Sequence, residues 1–369
     1  MTDSSKGIVA CGHPLVSGAA AEILQTGGNA FDAAVAAGFA SAVAEPTLTS
    51  LGGGGFLLAR TNSANRESEE ILFDFFVDTP GQGRKEELLE PHFFPVTVHF
   101  PASDQIFNVG LGSVAVPGNL KGFLHVHKRL GQLPLKTVVA PALHLAQNGL
   151  TVNDSQAYFL KLLKPIMTFS AVGRSLYGHN GDYMGAGALL ANPELARFLK
   201  TLPIDQGKSF YSGELAEKLV AGVQDAGGIW TMEDLAQYKV AVREPVTFEY
   251  RDMQITSAAL PSSGGLVLAG SLNILENYDL SELEELESVH LTVEAMRRAY
   301  RDRAEYMGDP DFVDVPTDML VSQAYANGLS QSIRMDRASR SNELAPTFVD
   351  GPKGEDTTHF SIIDHEGNM

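Results

Sequence analysis

A run of small apolar residues from Ala30 to Ala44 constrains the fold of this chain more than any other segment. Asn29 is a typical N-cap residue, Asp32 places a carboxylate in the first turn, and Pro46 ends the predicted helix. Alanine, valine and glycine occupy every side of this helix, so neighbouring layers can approach it closely from all directions. We therefore expect a buried helix at the centre of the fold. The run is also shorter than the ~20 residues that a membrane span requires.

The rest of the chain alternates between helix and strand patterns. After the central helix, four glycines (52–55) lead into an apolar stretch typical of a buried strand. Residues 288–307 form the clearest helix pattern, in which Val289, Val293, Met296 and Tyr300 fall on one face. Further patterns predict helices at 118–131, 135–149 and 213–226, and a β-hairpin at 245–259 that turns near Arg251-Asp252.

Composition excludes several classes of protein. The net charge of −18 disfavours binding to nucleic acid, since an acidic surface repels phosphate backbones. The single cysteine, Cys11, excludes an internal disulfide framework and a cysteine-based zinc or iron–sulfur site. The N-terminus lacks a basic segment followed by an apolar one, so it shows no secretory signal, which favours the cytoplasm.

A polar segment at 335–356 has the composition of a mobile surface loop, and it leads directly into a predicted strand at 357–364. Residues 365–368 are typical of a hairpin turn, and the chain ends one residue later. A turn without its returning strand would leave the strand at 357–364 without a ladder partner. We therefore expect the chain to be truncated.

The junction between Asp356 and Thr357 is the one feature that points to chemistry. If this bond is cut, Thr357 becomes an N-terminus whose hydroxyl is a nucleophile and whose α-amine, with a pKa near 7.7–8.0, is its base. The cut can be autocatalytic, because the Thr357 oxygen can attack the Asp356 carbonyl and water can hydrolyse the resulting ester. Two threonines at the start of a strand are, however, also explained by their β-propensity. Without further evidence, the sequence pattern indicates only a soluble α/β protein.

Many segments, in one order along nearly the whole chain, resemble the γ-glutamyltranspeptidase family. They include His13-Pro14-Leu15, Gly27-Gly28-Asn29-Ala30-Phe31-Asp32, Glu45-Pro46 with Gly52-Gly53-Gly54-Gly55-Phe56, Val116-Pro117-Gly118, Pro261-Ser262-Ser263-Gly264-Gly265, Gly308-Asp309-Pro310 and Thr357-Thr358-His359-Phe360-Ser361. The resemblance implies an α+β fold, the four-layer αββα sandwich of N-terminal-nucleophile (Ntn) hydrolases. It also implies a large-subunit region at 1–356, with 335–356 as the loop before cleavage. Residues 357–369 would be the truncated start of a small subunit.

The same resemblance implies a function. Autocatalytic cleavage of a zymogen at Asp356–Thr357 would free Thr357 to attack γ-glutamyl amides such as glutathione. The γ-glutamyl ester on Thr357 would pass to water or to an amino-acid or peptide acceptor. The partner would be the chain's own small subunit, and neither metal nor organic cofactor is implied. Members of this family are often periplasmic or extracellular, whereas the N-terminal sequence here favours the cytoplasm.

Two departures from the family pattern bear on this function. Phe76 stands where the family has an arginine that grips the substrate α-carboxylate, and an aromatic ring cannot make that bidentate pair. Either Arg84 substitutes for it, or the enzyme is an Ntn acylase acting on a non-glutamyl amide. Most of the small subunit is also absent, which implies that this chain on its own is inactive. A third possibility is a non-catalytic scaffold that is never cleaved.

Overall fold

A computed structural model describes residues 6–62, 68–81, 91–101, 103–340, 344 and 357–369. Its strands are β1 (Gly7–Cys11), β2 (Gly55–Arg60), β3 (Glu70–Phe75), β4 (Phe94–His99), β5 (Asp104–Val109), β6 (Leu150–Thr151), β7 (Gly178–His179), β8 (Asp182–Tyr183), β9 (Leu189–Leu190), β10 (Ala241–Arg243), β11 (Val246–Tyr250), β12 (Met253–Ser257) and β13 (Phe360–Asp364). Its helices are α1 (Pro14–Gln25), α2 (Ala30–Ala44), α3 (Asn119–Leu130), α4 (Leu135–Asn148), α5 (Asp154–Leu162), α6 (Lys164–Met167), α7 (Ala171–Tyr177), α8 (Pro193–Asp205), α9 (Lys208–Ser212), α10 (Glu214–Asp225), α11 (Met232–Gln237), α12 (Gly264–Leu275), α13 (Glu285–Tyr306), α14 (Thr317–Leu320) and α15 (Gln323–Ser330).

Helix α2 lies at the centre of the larger core, as its composition predicts. Every residue of it except Ala34 is buried, and it packs against α1, α3, α4 and β13. Asn29 and Asp32 form a capping box in which each side chain accepts the other's backbone N–H. Close packing needs the small residues: a Cβ on Gly38 would lie 2.6 Å from the Phe123 ring of α3.

Short antiparallel sheets pack against these helices. β1 pairs with β13, and β3 lies between β10 and β2. The predicted hairpin is confirmed as β11 and β12, with Arg251 and Asp252 at φ values of 48° and 63° in the two-residue turn. The expected helices at 118–131, 135–149 and 213–226 are confirmed as α3, α4 and α10.

The strand before the C-terminal turn does have a ladder partner, contrary to the expectation from the sequence. β13 pairs with β1 over its whole length, from Gly7↔Asp364 to Cys11↔Phe360. The turn itself is as predicted, and after it Met369 exchanges two backbone hydrogen bonds with Arg60 at the end of β2. The strand begins at Phe360 rather than Thr357, because antiparallel pairing starts where β1 ends.

Two smaller cores share α12: helix α13 forms one with α12 and α15, and the β11–β12 hairpin forms the other with α12 and α14. The apolar face of α13, with Val289, Val293, Met296 and Tyr300, is exposed. The buried face instead carries Leu291, Ala295 and Ala299 together with charged side chains that pair with one another. In the described part of the chain, no helix combines the length and hydropathy needed to cross a bilayer.

Candidate active site

Thr357 lies beside a cavity of about 300 Å³. Its side chain is exposed, and its hydroxyl makes one long contact of 3.4 Å with the carbonyl oxygen of Thr358. The cavity wall comes from the start of α1, the end of α2, the start of α5 and the residues before β13. Its lining residues are Gly12, His13, Glu45, Thr47, Leu48, Asn153, Ser155, Gln156, Phe159, Thr357, Thr358 and His359.

The pairing of β13 with β1 brings Thr357 to this cavity. Because Cys11 faces Phe360, the three residues before β13 lie beside the Gly12–His13 turn that leads into α1. A Cβ on Gly12 would lie 3.0 Å from the Glu45 carboxylate and 3.6 Å from the Thr358 hydroxyl. The glycine therefore leaves room for these two side chains to meet.

A hydrogen bond joins the carboxylate of Glu45 to Thr358, the residue after Thr357. Glu45 follows α2, is 5% exposed, and accepts this hydrogen bond of 3.1 Å from the Thr358 hydroxyl. Burial raises its pKa, while the Thr358 hydroxyl and His13 act in the opposite direction. In the sequence, Glu45 marks only the end of a predicted helix and part of a family motif. A carboxylate at a helix C-terminus, where the dipole disfavours negative charge, was the available signal.

His13 and Asn153 form the opposite wall. His13 caps α1 through an acceptor contact with the Leu15 N–H, and its other ring nitrogen lies 2.9 Å from the Asn153 amide. Asn153 in turn caps α5 in a capping box with Gln156, whose amide donates to the last carbonyl of α2. These contacts hold the ends of α1, α2 and α5 together around the cavity.

In the uncut chain, Thr357 has a nucleophilic oxygen but no base. Its nitrogen is part of a peptide bond, and no hydrogen bond among the described residues joins its hydroxyl to a histidine or a carboxylate. His359, which also lines the cavity, contacts the Ser361 hydroxyl at 3.1 Å instead. An amine base arises at this position only when the Asp356–Thr357 bond is cut.

Phe76 does not line the cavity beside Thr357. Its ring is 49% exposed and stacks on Phe56, with the centroids 5.5 Å apart and the planes inclined by 13°. Its backbone carbonyl accepts a hydrogen bond from Tyr238, and its N–H donates to Asp74. Two other residues named from the sequence, Asp356 and Arg84, lie outside the described residues, as does most of the 335–356 segment.

The surroundings of Phe76 carry negative charge. Asp74 holds Arg243 at 2.7 Å, and the same guanidinium makes a bidentate pair with Asp311. Burial raises the pKa of Asp78, two residues from Phe76, and neighbouring carboxylates led by Asp74 raise it further. The guanidinium of Arg243 is therefore paired with two carboxylates, those of Asp74 and Asp311.

Comparison with known proteins gives a consistent result. The Gamma-glutamyltranspeptidase family model matches residues 16–369. A glutathione hydrolase proenzyme of Escherichia coli is 34% identical over 99% of this chain, and an acylase ACY 1 proenzyme of a Pseudomonas species is 33% identical over 99%. The chain spans 62% and 64% of the lengths of these two relatives.

A solved structure has the same fold. The Helicobacter pylori gamma-glutamyltranspeptidase superposes with a TM-score of 0.82 at 34% identity, over 94% of this chain and 97% of the other. The predicted α+β fold of the Ntn hydrolases is thereby confirmed.

Proposed function

Because this chain belongs to the gamma-glutamyltranspeptidase family, we propose that it is part of a self-processing amide hydrolase and acyltransferase with Thr357 as the nucleophile. Residues 1–356 then form the large subunit, and the small subunit begins at Thr357. The observation that carries the proposal is the exposed Thr357 hydroxyl at the edge of a cavity of about 300 Å³, where no hydrogen bond among the described residues joins it to a histidine or a carboxylate. Such a residue gains a base when its own nitrogen becomes an amine.

Maturation proceeds in two steps. The Thr357 oxygen attacks the carbonyl carbon of Asp356, the carbon–nitrogen bond breaks, and the acyl group moves from nitrogen to oxygen. Water then hydrolyses this ester and leaves a carboxylate on Asp356 and a free α-amine on Thr357. The hydrogen bond from Thr358 to Glu45 supports this step, since it anchors the residue that follows the Thr357 nucleophile.

The mature amine then acts as the base for amide cleavage. It takes the proton from the Thr357 hydroxyl as the oxygen attacks the substrate carbonyl, and it passes that proton to the departing amine. The ester left on Thr357 is resolved by water, which completes hydrolysis, or by the amino group of an amino acid or peptide, which completes transfer. Nucleophile and base reside in one residue, so the proposed chemistry uses no cofactor.

The leading substrate class is γ-glutamyl amides such as glutathione, since the E. coli relative is named a glutathione hydrolase proenzyme. A second class, amides of an uncharged acyl group, follows from Phe76, which stands where the family has a carboxylate-binding arginine, although its ring lies outside the cavity beside Thr357. The similarity to an acylase proenzyme fits this alternative. Arg84 is the candidate to bind the carboxylate if γ-glutamyl donors are used.

Two measurements on the complete encoded polypeptide test these proposals. Intact mass should give two fragments that meet between Asp356 and Thr357, whereas a single uncut species in a folded sample would favour a scaffold and overturn the enzyme proposal. Hydrolysis of paired anilides, one γ-glutamyl and one an uncharged acyl of similar length, then decides the substrate class. Arg84→Ala should lower kcat/KM for the γ-glutamyl anilide alone if Arg84 binds the carboxylate. An unchanged ratio would exclude that role.

A further inference from the structure

A second cavity, of about 560 Å³, opens between α3, α9 and α11, and the groups that line it are basic. We call it the lysine pocket after Lys121, Lys128 and Lys208, which line it together with His125. Lys121, His125 and Lys128 recur at intervals of four and three residues along α3, a spacing that puts them on one face. No aspartate or glutamate of the described chain lines this pocket, although the protein carries a net charge of −18.

None of the three lysines of this pocket forms an ion pair with a described residue, although Lys164 and Lys218 elsewhere do. The carboxylate of Asp205, three residues before Lys208, instead accepts hydrogen bonds from the backbone N–H groups of Gly207 and Ser209. Lys121 is half-buried. Its ammonium donates to the Tyr238 carbonyl at 2.5 Å and lies 4.5 Å above the Tyr211 ring.

Two groups that line the pocket have lowered pKa values, first because they are partly buried and second because positive charges lie nearby. Burial lowers the pKa of Lys121, and Lys239 lowers it further. Burial also lowers the pKa of His125, with Arg129 and Lys128 adding to the effect. A bound anion would relieve the repulsion among these positive charges, so the free pocket is poised to gain more from a multiply charged ligand than from a singly charged one.

We propose that the lysine pocket binds a phosphorylated small molecule carrying at least two negative charges. Lysine ammonium groups bind phosphate as point charges, whereas a planar carboxylate is matched best by arginine. The volume lies within the ~300–1,000 Å³ typical of small-molecule sites and exceeds what a phosphate group alone fills. Leu124 and Ala236 provide apolar wall for the organic part, and Ser212 provides a hydroxyl.

The site is independent of the chemistry proposed for Thr357. Its lining residues share no member with the cavity beside Thr357. Binding can therefore be measured without any amide substrate, and a negative result for one site leaves the other untouched.

Isothermal titration with glucose 6-phosphate as the probe tests the proposal, with inorganic phosphate and citrate in parallel. We expect glucose 6-phosphate to bind with one site per chain, more tightly than either of the other two, and more weakly as sodium chloride rises. Lys128→Met with Lys208→Met should weaken binding by about tenfold or more, since each removes a charge-assisted contact. Both lysines are exposed, so the double variant should retain the unfolding midpoint of the wild type.

The matched control is Lys136→Met, which removes an exposed lysine on α4 outside the pocket. It should bind glucose 6-phosphate as the wild type does. The proposal is overturned if no binding is found at millimolar concentration, or if the double variant and the control bind equally. It is likewise overturned if citrate binds as tightly as glucose 6-phosphate.

Discussion

Replacing Glu294 by glutamine should destabilise the protein strongly, because Glu294 is one half of a buried ion pair on α13. Its side chain and that of Arg298 are each 1% exposed, and their charged atoms lie 2.7 Å apart. Glu294 also accepts the N–H and the hydroxyl of Ser339 at 2.9 and 2.6 Å. Arg298 makes further bonds to the hydroxyl and carbonyl of Ser332.

Glu294→Gln leaves the Arg298 guanidinium buried and without its counter-charge. Removing one partner of such a pair costs about 3–5 kcal/mol, a large part of the 5–15 kcal/mol that stabilises a typical protein. Urea unfolding of the complete polypeptide at pH 7, followed by circular dichroism, measures this loss. Replacing both partners, Glu294→Leu with Arg298→Met, should recover most of it, because neither charge of this pair then remains buried.

The effect should depend on pH in a defined direction. Burial alone would raise the pKa of Glu294, but the hydrogen bonds from Ser339 and Arg298 outweigh burial and hold the pKa at about 2, below its ordinary value of 4.5. The carboxylate therefore contributes its full stabilisation above about pH 4.5 and loses it as the pH falls towards 2. The difference between the wild type and Glu294→Gln should shrink over the same interval.

The chain contains a matched control for this experiment. Glu214 and Lys218 form an exposed pair four residues apart on α10, at 2.6 Å. Glu214→Gln should leave the urea unfolding midpoint close to that of the wild type, since water screens such an exposed pair. If Glu214→Gln and Glu294→Gln destabilise the protein equally, the reasoning about burial is wrong.

Three further outcomes are expected. Phe76→Arg should raise kcat/KM for a γ-glutamyl anilide relative to an uncharged acyl anilide by about tenfold or more, because the arginine can form a charge-assisted pair with the substrate carboxylate. An unchanged ratio would show that residue 76 does not contact the acyl group. Asp364→Ala should lower the free energy of unfolding by about 1–3 kcal/mol, because the buried carboxylate accepts N–H bonds from Ala30 and Asn368; a loss within the error of the unfolding measurement would refute this. Glu45→Gln should gain stability relative to the wild type as the pH rises above 4.5, because the pKa of Glu45 is raised in the folded state and its ionisation is therefore destabilising. Parallel profiles of unfolding free energy against pH for the two proteins would contradict this.

The features predicted correctly from the residues are those set by local chemistry. Asn29 and Asp32 sit three residues apart in front of an alanine-rich run, and this spacing alone specifies a capped helix. Arg251 and Asp252 lie between two alternating stretches, which specifies a tight hairpin. In both cases the signal and the structure involve neighbours along the chain.

The features that were missed depend on residues far apart in sequence. Glu45 meets Thr358 across 313 positions, and no local pattern links them. The pairing of β13 with β1 joins the two ends of the chain, so the segment after 356 could not reveal its own partner. On α13, hydrophobic periodicity marks the exposed face, because a charged pair occupies the buried one.

The central claim is that the Thr357 oxygen performs both self-cleavage and amide hydrolysis. Thr357→Val tests it most directly, since the substitution replaces that hydroxyl by a methyl group of similar size, and Thr357→Ser restores an oxygen at the same position. Intact mass and anilide hydrolysis should show the valine variant uncut and inactive, and the serine variant cut and active at a reduced rate. A folded Thr357→Val protein that is still cut at Asp356 and still hydrolyses the anilide would contradict the account.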